Sequence, residues 1–547
     1  MANVKFQRKE FEKHVPLTKE TEEKIRLFGT PLESLSEKEI EIEIFPNRPD
    51  LLSFQNYIRA FKAFLGKSPG IKEYKIKKPL KDYNVKISPS VKKVRPFTAC
   101  AIVKNLSFDD GKIKEIIDLQ EKLHATLGRN RKKVAIGIYP LEKIKLPITY
   151  EARSPEKINF IPLESEREMT GSQILHKHPK GREYAHLLEN QEKFPVFIDA
   201  DKKILSMPPI INSRETGKIT ESTKEVFIEC SGHDFKTLQK TLNIIVTTLA
   251  EMSGEIYQMS LDYGKKISTP DLSTETMKIS LENVNKLLGL ELKETDLSRL
   301  LPKMELSYQK GKVKIPAWRT DILHEVDIAE DIAIAYGYDN FSPQIPSIST
   351  LGSENKKSKI KSKLSEILVG LGLIETSSYH LIKTEEAKLM KLKEKIELEN
   401  SKTEFKILRP NLLIPALRIL SENKDAEYPQ KIFELGVVFS NSALEETKIK
   451  EIENIIILSS PANFTEMKQI LDALFKSLAL KYELKEALHT NLIEGRTANI
   501  HLNEKSIGYI GELHPSTLNS WNIQMPAAVI EISIEEILSL FEQAHPK

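Results

Sequence analysis

Short apolar runs are spread along the whole of this chain, and no run is long enough to cross a membrane. Residues 455–458 form one of the longest runs, whereas spanning a bilayer takes about 20 consecutive apolar residues. Because a single hydrophobic core stops growing at roughly 250–300 residues, a chain of 547 residues predicts several domains. The start, MANVKFQRKE, has no apolar stretch of signal-peptide length. We therefore expect a cytoplasmic, multidomain protein that does not contact a membrane.

Cysteine usage points to the same compartment. The chain has two cysteines, Cys100 and Cys230, and no C-x-x-C motif. Two thiols cannot build a disulfide framework, which fits reducing surroundings. We predict that both side chains are small buried apolar groups, the usual role of a free cysteine.

Positive charge is concentrated in patches, although the net charge is only +3. Residues 72–95 contain nine Lys or Arg and two acidic residues, and residues 129–133 and 356–363 form two further patches. Such patches could hold a phosphate backbone by releasing counterions. They are also typical of a solvated, lysine-rich surface. The charge pattern alone leaves both interpretations open.

Four segments of the chain differ in pattern, and together they predict a multidomain α+β protein. Residues 1–80 mix helix and strand. Residues 81–268 have short strands between loops rich in Pro and Gly, which favours an α/β domain. Residues 269–346 read as helix, helix, hairpin, helix, the order of a winged-helix-like module. Residues 347–547 have helices near both ends around several strands, which predicts an antiparallel α+β domain.

Two local patterns predict particular elements. Ile40, Ile42 and Ile44 alternate with glutamates, which is the pattern of a half-buried strand. After Asp234, apolar residues recur at helical spacing and predict a helix with one buried stripe, for which Asp234 is a natural N-cap. The stripe consists of Phe235, Leu238, Leu242, Ile245 and Leu249.

A group of carboxylates marks a possible metal site after residue 318. Asp327, Glu330 and Asp331 are spaced i, i+3, i+4, so a helix would place them on one face. Asp321, the predicted N-cap of that helix, lies about 9 Å back along the axis at 1.5 Å per residue. Oxygen-only ligands suit Mg²⁺. The spacing alone leaves a second interpretation open, an N-cap followed by an acidic, solvated helix face.

A second group of polar residues could line a cleft. Residues 208–213 form an extended, proline-rich segment that ends in polar side chains, and Glu229, Ser231, His233 and Asp234 follow about 16 residues later. The pattern is weak in isolation, since Asp234 also serves as the cap of its helix. Walker loops, H-E-x-x-H motifs and zinc-ligand spacings are absent from the sequence, so no complete active site is evident.

Read together, these segments resemble the β-subunit family of phenylalanyl-tRNA synthetases, of the shorter archaeal and eukaryotic type. The resemblance runs nearly from end to end, with the motifs in the family's order. The motifs are residues 45–53, 131–137, 205–212, 227–229, 318–338, 408–413 and 510–515.

The resemblance implies an (αβ)₂ heterotetramer that uses ATP to esterify phenylalanine to tRNA(Phe). The synthetic site would lie in the α subunit, so we expect no catalytic residue for aminoacylation in this chain. Residues 347–547 would form a degenerate class II synthetase-like domain that packs against α. The winged-helix-like module would bind Mg²⁺ through Asp321, Asp327, Glu330 and Asp331.

The resemblance also implies that residues 81–268 form an editing domain, which hydrolyses tyrosine wrongly attached to tRNA(Phe). A pocket shaped for phenylalanine cannot strongly reject a ring that adds a hydroxyl, so a second site that recognises this hydroxyl is needed. By position, the candidates for that pocket are Ser206, Asn212, Glu229 and Ser231.

Two stretches of this editing segment depart from the family's pattern. The family usually has His-Asp-Leu after the strand that ends near residue 138, and this chain has Tyr139 and Pro140 followed by leucine. The usual Thr-Gly-Thr-Asp appears here as Ser231, Gly232, His233 and then aspartate. These departures leave open whether editing is retained.

Three rival hypotheses remain at this stage. A nucleic-acid-binding protein that uses the winged-helix-like unit would need a basic recognition helix, whereas this helix carries Glu325, Asp327 and Glu330. A stand-alone metal hydrolase would need further ligands that converge on a pocket. A non-catalytic paralogue with the same fold, which binds tRNA or another nucleic acid, cannot be distinguished from the β subunit by sequence.

Overall fold

The computed structural model describes residues 2–345 and 350–544, with side chains to residue 540. The chain divides after Ile345 into two compact units. We call residues 1–345 unit 1 and residues 346–547 unit 2. Among the described helices, none combines the length and apolar character that crossing a bilayer would require.

Unit 1 begins with a small sheet covered by helices. The central strand, Glu39–Ile44, pairs antiparallel with Ala2–Gln7 on one side and Leu32–Leu35 on the other. Its three isoleucines are buried and its glutamates face outward, so the predicted half-buried strand is confirmed. The helices of this region are Arg8–His14, Lys19–Leu27 and Phe54–Phe64.

A larger sheet forms the middle of unit 1. The strand Val226–Gly232 lies between Phe97–Lys104 and Val134–Pro140, antiparallel to both, and all seven of its residues are buried. In sheet order the strands are Ile211–Asn212, Ile204–Met207, Phe194–Ile198, Ile148–Arg153, Asn84–Ile87, Glu255–Asp262, Phe97–Lys104, Val226–Gly232 and Val134–Pro140, with Lys266–Thr269 and Ile76–Lys77 also paired to Glu255–Asp262.

The helix Phe235–Glu251 packs on this sheet, but its burial is wider than the predicted single stripe, because residues 241–249 are all buried and Phe235 is only partly buried. Leu238, Leu242, Ile245 and Leu249 are buried, and Asp234 caps the helix by accepting from the backbone N–H groups of residues 236 and 237. Both cysteines are free and buried, as predicted. The other elements here are the helices Asp110–Ala125, Gly171–Lys177 and Pro179–Tyr184 and the strand pair Asn159–Phe160 and Met169–Thr170.

The last part of unit 1 contains two short helices, a hairpin and a longer helix in the order that the sequence predicts. The helices are Leu281–Leu288, Glu294–Leu300 and Glu325–Tyr336, and the hairpin is Ser307–Gln309 with Lys312–Ile315, to which Glu275–Lys278 adds a third strand.

The predicted start of the longer helix is wrong. His324, and not Asp321, is the N-cap. The Asp321 side chain binds an arginine instead, and Asp327 reaches back to the backbone N–H groups of Leu323 and His324.

Unit 2 is built on one sheet with helices on both faces. Residues 455–458 explain its layering, because Ile455 and Ile457 enter one core while Ile456 and Leu458 enter the other. In order the strands are Ile374–Glu375, Gln430–Asn441, Ile449–Ser460, Ala528–Ser533, Lys505–Leu513, Leu492–Leu502 and Glu483–Glu486, and only the first pair is parallel. The helices are Lys356–Gly370, Thr384–Leu389, Leu413–Glu422, Phe464–Ser477, Pro515–Ser520 and Glu535–Ala544, and a strand pair joins Leu381–Lys383 to Phe405–Leu408.

Candidate functional site

Three of the four predicted editing residues meet around one tyrosine. Glu229 lies in the middle of the strand Val226–Gly232. Ser206 and Asn212 lie opposite each other on the two strands at one end of the sheet. The Tyr139 hydroxyl lies 3.3 Å from Glu229 Oε1 and 3.3 Å from Asn212 Oδ1 and can donate to either. We call Ser206, Asn212, Glu229 and Tyr139 the phenol site.

The Tyr139 side chain is enclosed by the protein. It is 0 % exposed, and its ring stacks on Phe227 with 5.8 Å between ring centroids. Burial raises the pKa of the phenol well above its ordinary value, the neighbouring Glu229 adds to the rise, and the Ser206 hydroxyl opposes it. Tyr139 is therefore a neutral hydrogen-bond donor at every pH at which a protein of this kind works.

Gly137 makes room for this arrangement. Gly137 is the strand partner of Glu229, and Tyr139 follows two residues later, so all three lie on the same face of the sheet. A Cβ atom added at Gly137 would come within 2.7 Å of Glu229 Oε1 and would also collide with the Tyr139 ring. Only glycine therefore leaves space for the phenol beside the carboxyl group.

Glu229 is a buried acid without a cation in direct contact. Burial raises its pKa to about 8, against the pull of the Arg95 charge and of hydrogen bonds from Tyr139 and Ser231. Its Oε2 atom and the Ser206 hydroxyl are buried and have no hydrogen-bond partner among the described residues. Two buried polar atoms without partners are costly, and a site that recognises a polar ligand group would use such atoms.

Ser231, the fourth predicted residue, contacts Arg95 and not Tyr139. Arg95 Nε donates to the Ser231 hydroxyl at 3.2 Å, and Arg95 Nη2 donates to its carbonyl oxygen at 2.6 Å. Sequence reasoning missed Arg95, because one arginine at the end of a lysine-rich stretch carries no distinguishing signal. His233 is exposed, and desolvation by the surrounding protein lowers the pKa of its imidazole. Pro140 ends its strand as the partner of Val226.

The carboxylates predicted to bind metal are arranged around an arginine. The Arg319 guanidinium is 1 % exposed and donates to Asp321 through Nε at 2.9 Å and Nη2 at 2.7 Å. The same Nη2 donates to Asp331 at 2.8 Å. Burial works to raise the pKa of Asp321, but Arg319 outweighs it and holds this pKa below its ordinary value. At Asp331 burial prevails, and the pKa is raised although Arg319 opposes the rise.

The other two predicted ligands do not join this cluster. Asp327 Oδ2 accepts from the backbone N–H groups of Leu323 and His324, both at 2.8 Å, and Glu330 is exposed. Within residues 2–345 and 350–540, no group of three or more His, Cys, Asp or Glu side chains is placed to hold a metal ion. The four carboxylates, as arranged here, do not fit a Mg²⁺ site.

Unit 2 also contains a buried arginine paired with a carboxylate. Arg409 is 1 % exposed; it donates to Glu434 Oε1 at 2.7 Å and to the Val437 carbonyl oxygen at 2.8 Å. The Ser378 hydroxyl donates to the other oxygen of Glu434 at 2.6 Å. Nε and Nη1 of this guanidinium are therefore bound to groups of the protein itself.

Comparison with known proteins identifies the family. Three family models match: the B3/4 domain over residues 86–248, the tRNA synthetase B5 domain over 277–338, and the phenylalanyl tRNA synthetase beta chain CLM domain over 342–534. The phenylalanine–tRNA ligase beta subunit of Methanococcus maripaludis is 38 % identical over 539 residues, which cover 94 % of this chain and 96 % of that protein. This chain belongs to the family of phenylalanine–tRNA ligase beta subunits.

Further relatives agree with this family. The beta subunit of Pyrococcus abyssi is 39 % identical over 502 residues and covers 90 % of each chain. A crystal structure of an N-terminal fragment of the phenylalanyl-tRNA synthetase beta subunit from Pyrococcus horikoshii is similar, with a TM-score of 0.58, 37 % identity, and coverage of 61 % of this chain and 99 % of that one. The phenol site lies within the B3/4 match, and the Arg319 cluster within the B5 match.

Proposed function

We propose that this chain is the β subunit of a phenylalanine–tRNA ligase, which attaches phenylalanine to tRNA(Phe) at the expense of ATP. The observation that carries the proposal is 38 % identity to a beta subunit over 94 % of the chain. The synthetic site is assigned to a separate α subunit, in an (αβ)₂ assembly that works in the cytoplasm. We assign unit 2 the role of a class II synthetase-like domain without catalytic residues. The pairing of Arg409 with Glu434 supports this assignment, because it binds the guanidinium to a carboxylate of the protein itself.

Phenylalanine charging tests this proposal. The chain is purified alone and together with a co-expressed α partner from the same source, and charging of tRNA(Phe) with ATP is followed. Charging only by the mixture supports the β-subunit function. Co-purification without charging would favour the alternative, a non-catalytic tRNA-binding paralogue.

We also propose that Ser206, Asn212 and Glu229 are the groups suited to tell a tyrosyl group on tRNA(Phe) apart from a phenylalanyl group when the space that Tyr139 fills is free. Asn212 Oδ1 and Glu229 Oε1 lie within hydrogen-bond distance of a phenol hydroxyl, that of Tyr139, while Ser206 Oγ and Glu229 Oε2 are buried without a partner among the described residues. A phenylalanyl ring would leave all four atoms unpaired. The two orphaned atoms, Glu229 Oε2 and Ser206 Oγ, support this role. Ser231 contributes indirectly, because it accepts hydrogen bonds from Arg95, whose charge acts on Glu229. In a Tyr139→Ala complex that hydrolyses Tyr-tRNA(Phe), adding Glu229→Ala should let mischarged Tyr-tRNA(Phe) accumulate, and unchanged clearance would remove Glu229 from the site.

The Mg²⁺ site at Asp321, Asp327, Glu330 and Asp331 stays a prediction from the resemblance. Two of those residues already have a cation partner, because the Arg319 guanidinium forms ion pairs with Asp321 and Asp331. A metal ion would have to displace the guanidinium from them. Mg²⁺ binding at all four residues therefore requires that Arg319 moves away from Asp321 and Asp331.

A further inference from the structure

We propose that Tyr139 occupies the place of the tyrosyl side chain in the phenol site, and that this chain therefore does not hydrolyse Tyr-tRNA(Phe). The inference rests on the proposed role of the phenol site and adds that the site is filled by the protein's own phenol. Tyr139 thereby determines specificity: while its ring is present, no tyrosyl group from a tRNA can reach Glu229 and Asn212.

The hydrogen bonds of Tyr139 are those that a bound tyrosyl group would need. Its hydroxyl lies 3.3 Å from a carboxyl oxygen of Glu229 and from the amide oxygen of Asn212, and it is close enough to the Ser206 hydroxyl to be influenced by it. Asn212 and Glu229 are two of the four residues predicted to recognise tyrosine, and the Tyr139 hydroxyl lies within hydrogen-bond distance of both.

The space around the ring is fully used. Tyr139 is 0 % exposed and Glu229 is 2 % exposed. One side of the phenol is against Phe227, and a single carbon added at Gly137 would collide with it. Because protein interiors are close-packed, a second phenol cannot enter while the first is in place.

Strand pairing holds the backbone that carries Tyr139. Tyr139 lies on the strand Val134–Pro140, whose seven residues all pair in register with the strand Val226–Gly232. Neither strand is a loop that could swing aside, and both consist of buried residues. The backbone on both sides of the phenol is therefore held within the sheet.

The decisive experiment measures hydrolysis of Tyr-tRNA(Phe) by the assembled αβ complex. The reaction breaks the ester bond between the tyrosyl carbonyl carbon and the ribose oxygen, consumes one water and releases tyrosine and tRNA. We expect the wild-type complex to show only the spontaneous rate. Tyr139→Ala should raise the rate at least about tenfold, the factor contributed by one hydrogen bond to the substrate hydroxyl. Tyr139→Phe keeps the ring in place and should give no gain.

A binding measurement tests the same idea without catalysis. The melting temperature of each complex is recorded with p-cresol, the tyrosine side chain, and with toluene, the phenylalanine side chain. Tyr139→Ala should bind p-cresol about tenfold more tightly than toluene, because the hydroxyl finds Glu229 and Asn212. Adding Glu229→Gln should reduce this preference. The matched control is Tyr57→Ala, which removes another fully buried tyrosine, outside the phenol site. This variant should bind p-cresol and toluene with a ratio that Glu229→Gln does not change.

The outcomes separate this inference from the proposed function. Wild-type hydrolysis of Tyr-tRNA(Phe) well above the spontaneous rate would overturn the inference and leave the proposed function standing, even if Tyr139→Ala failed to fold. Selective p-cresol binding by Tyr139→Ala without any gain in hydrolysis would support the mimicry and overturn the proposed editing role. Equal binding of p-cresol and toluene would overturn the mimicry. Loss of phenylalanine charging in the mixture would contradict the β-subunit function itself.

Discussion

Unit 1 contains two groups of buried carboxylates that differ in their partners. At the phenol site, the Glu229 carboxyl lies 3.3 Å from the neutral Tyr139 hydroxyl, and burial raises the pKa of Glu229 to about 8 although this hydrogen bond opposes the rise. In the second group, Asp321 and Asp331 share the Arg319 guanidinium, which is as deeply buried as they are. The first carboxyl is held in its neutral form near neutral pH, whereas Arg319 favours the ionised form of the other two.

The difference bears on which group can serve a ligand. A carboxylate paired with a buried cation cannot exchange that cation for a ligand without leaving a charge uncompensated, which is costly. A neutral acid next to a neutral donor can exchange one hydroxyl for another at little electrostatic cost. We infer that the Arg319 cluster maintains the fold of unit 1 and that the phenol site is the one shaped for recognition.

Removal of Arg319 should have the largest effect. Arg319→Met removes the guanidinium that both carboxylates contact and leaves them the more distant charge of Arg48. It should lower the free energy of unfolding of unit 1 by about 3–5 kcal/mol. The two tryptophans of the chain allow a clean measurement, since Trp318 lies in unit 1 and Trp521 in unit 2. In a Trp521→Phe background, urea unfolding followed by tryptophan fluorescence reports unit 1.

Arg299→Met, at an exposed arginine, is the control and should change little. A loss below about 1 kcal/mol for Arg319→Met, the range of surface pairs, would contradict the comparison.

Glu229→Gln should produce the next largest effect, and it should depend on pH. The folded-state pKa of Glu229 is raised from 4.5 to about 8, so between those values the folded protein holds a proton that the unfolded chain has lost. The stability of the wild type therefore falls as pH rises through this window, and the glutamine variant escapes that loss.

The size of this pH effect follows from linkage. The full value is about 1.4 kcal/mol per pH unit, and we expect ~2 kcal/mol in total between pH 5 and pH 8 because relaxation around a buried carboxylate reduces it. Urea unfolding of wild type and variant at four pH values measures it. Glu282→Gln, at an exposed glutamate, should show a constant difference. A constant difference for Glu229→Gln as well would mean that Glu229 is ionised in the folded protein.

A smaller effect should separate Asp327 from Glu330. Asp327→Ala removes the acceptor of two backbone N–H groups at the start of a helix and should cost about 1 kcal/mol. Glu330→Ala, at an exposed residue on the same helix, should cost almost nothing. Equal losses of stability and of assembly with α in the two variants would indicate that both residues act together, as ligands of one ion would.

The smallest expected effect is that of Mg²⁺ on the isolated chain. Since Arg319 occupies Asp321 and Asp331, equilibrium dialysis should find no stoichiometric Mg²⁺, and chelation by EDTA should leave the melting temperature unchanged. One tightly bound Mg²⁺ per chain would show that these carboxylates release Arg319, and it would restore the magnesium site predicted from the resemblance.

Sequence patterns predicted local structure well and side-chain partners poorly. The alternation of Ile40, Ile42 and Ile44 and the cap at Asp234 depend on neighbouring residues, and the structure confirms both. The capture of Asp321 and Asp331 by Arg319 was not predictable from helical spacing, because the arginine lies before the helix begins.

The phenol site shows the same limit at longer range. Its candidates Ser206, Asn212 and Glu229 could be named from the resemblance, and Tyr139 was recognised only as a departure from the family's pattern. Tyr139 and Glu229 are separated by 90 residues in sequence, so their contact depends on strand pairing. Sequence alone could not show that the unusual tyrosine points at the residues expected to recognise tyrosine.

The most direct test of the β-subunit function is a titration of this chain into a fixed amount of its α partner, with the initial rate of phenylalanine charging as the readout. The account predicts no charging by either subunit alone, a rate that rises with added chain, and a plateau at equal molar amounts. Charging by this chain alone, or no charging at any ratio although the two proteins bind each other, would contradict it.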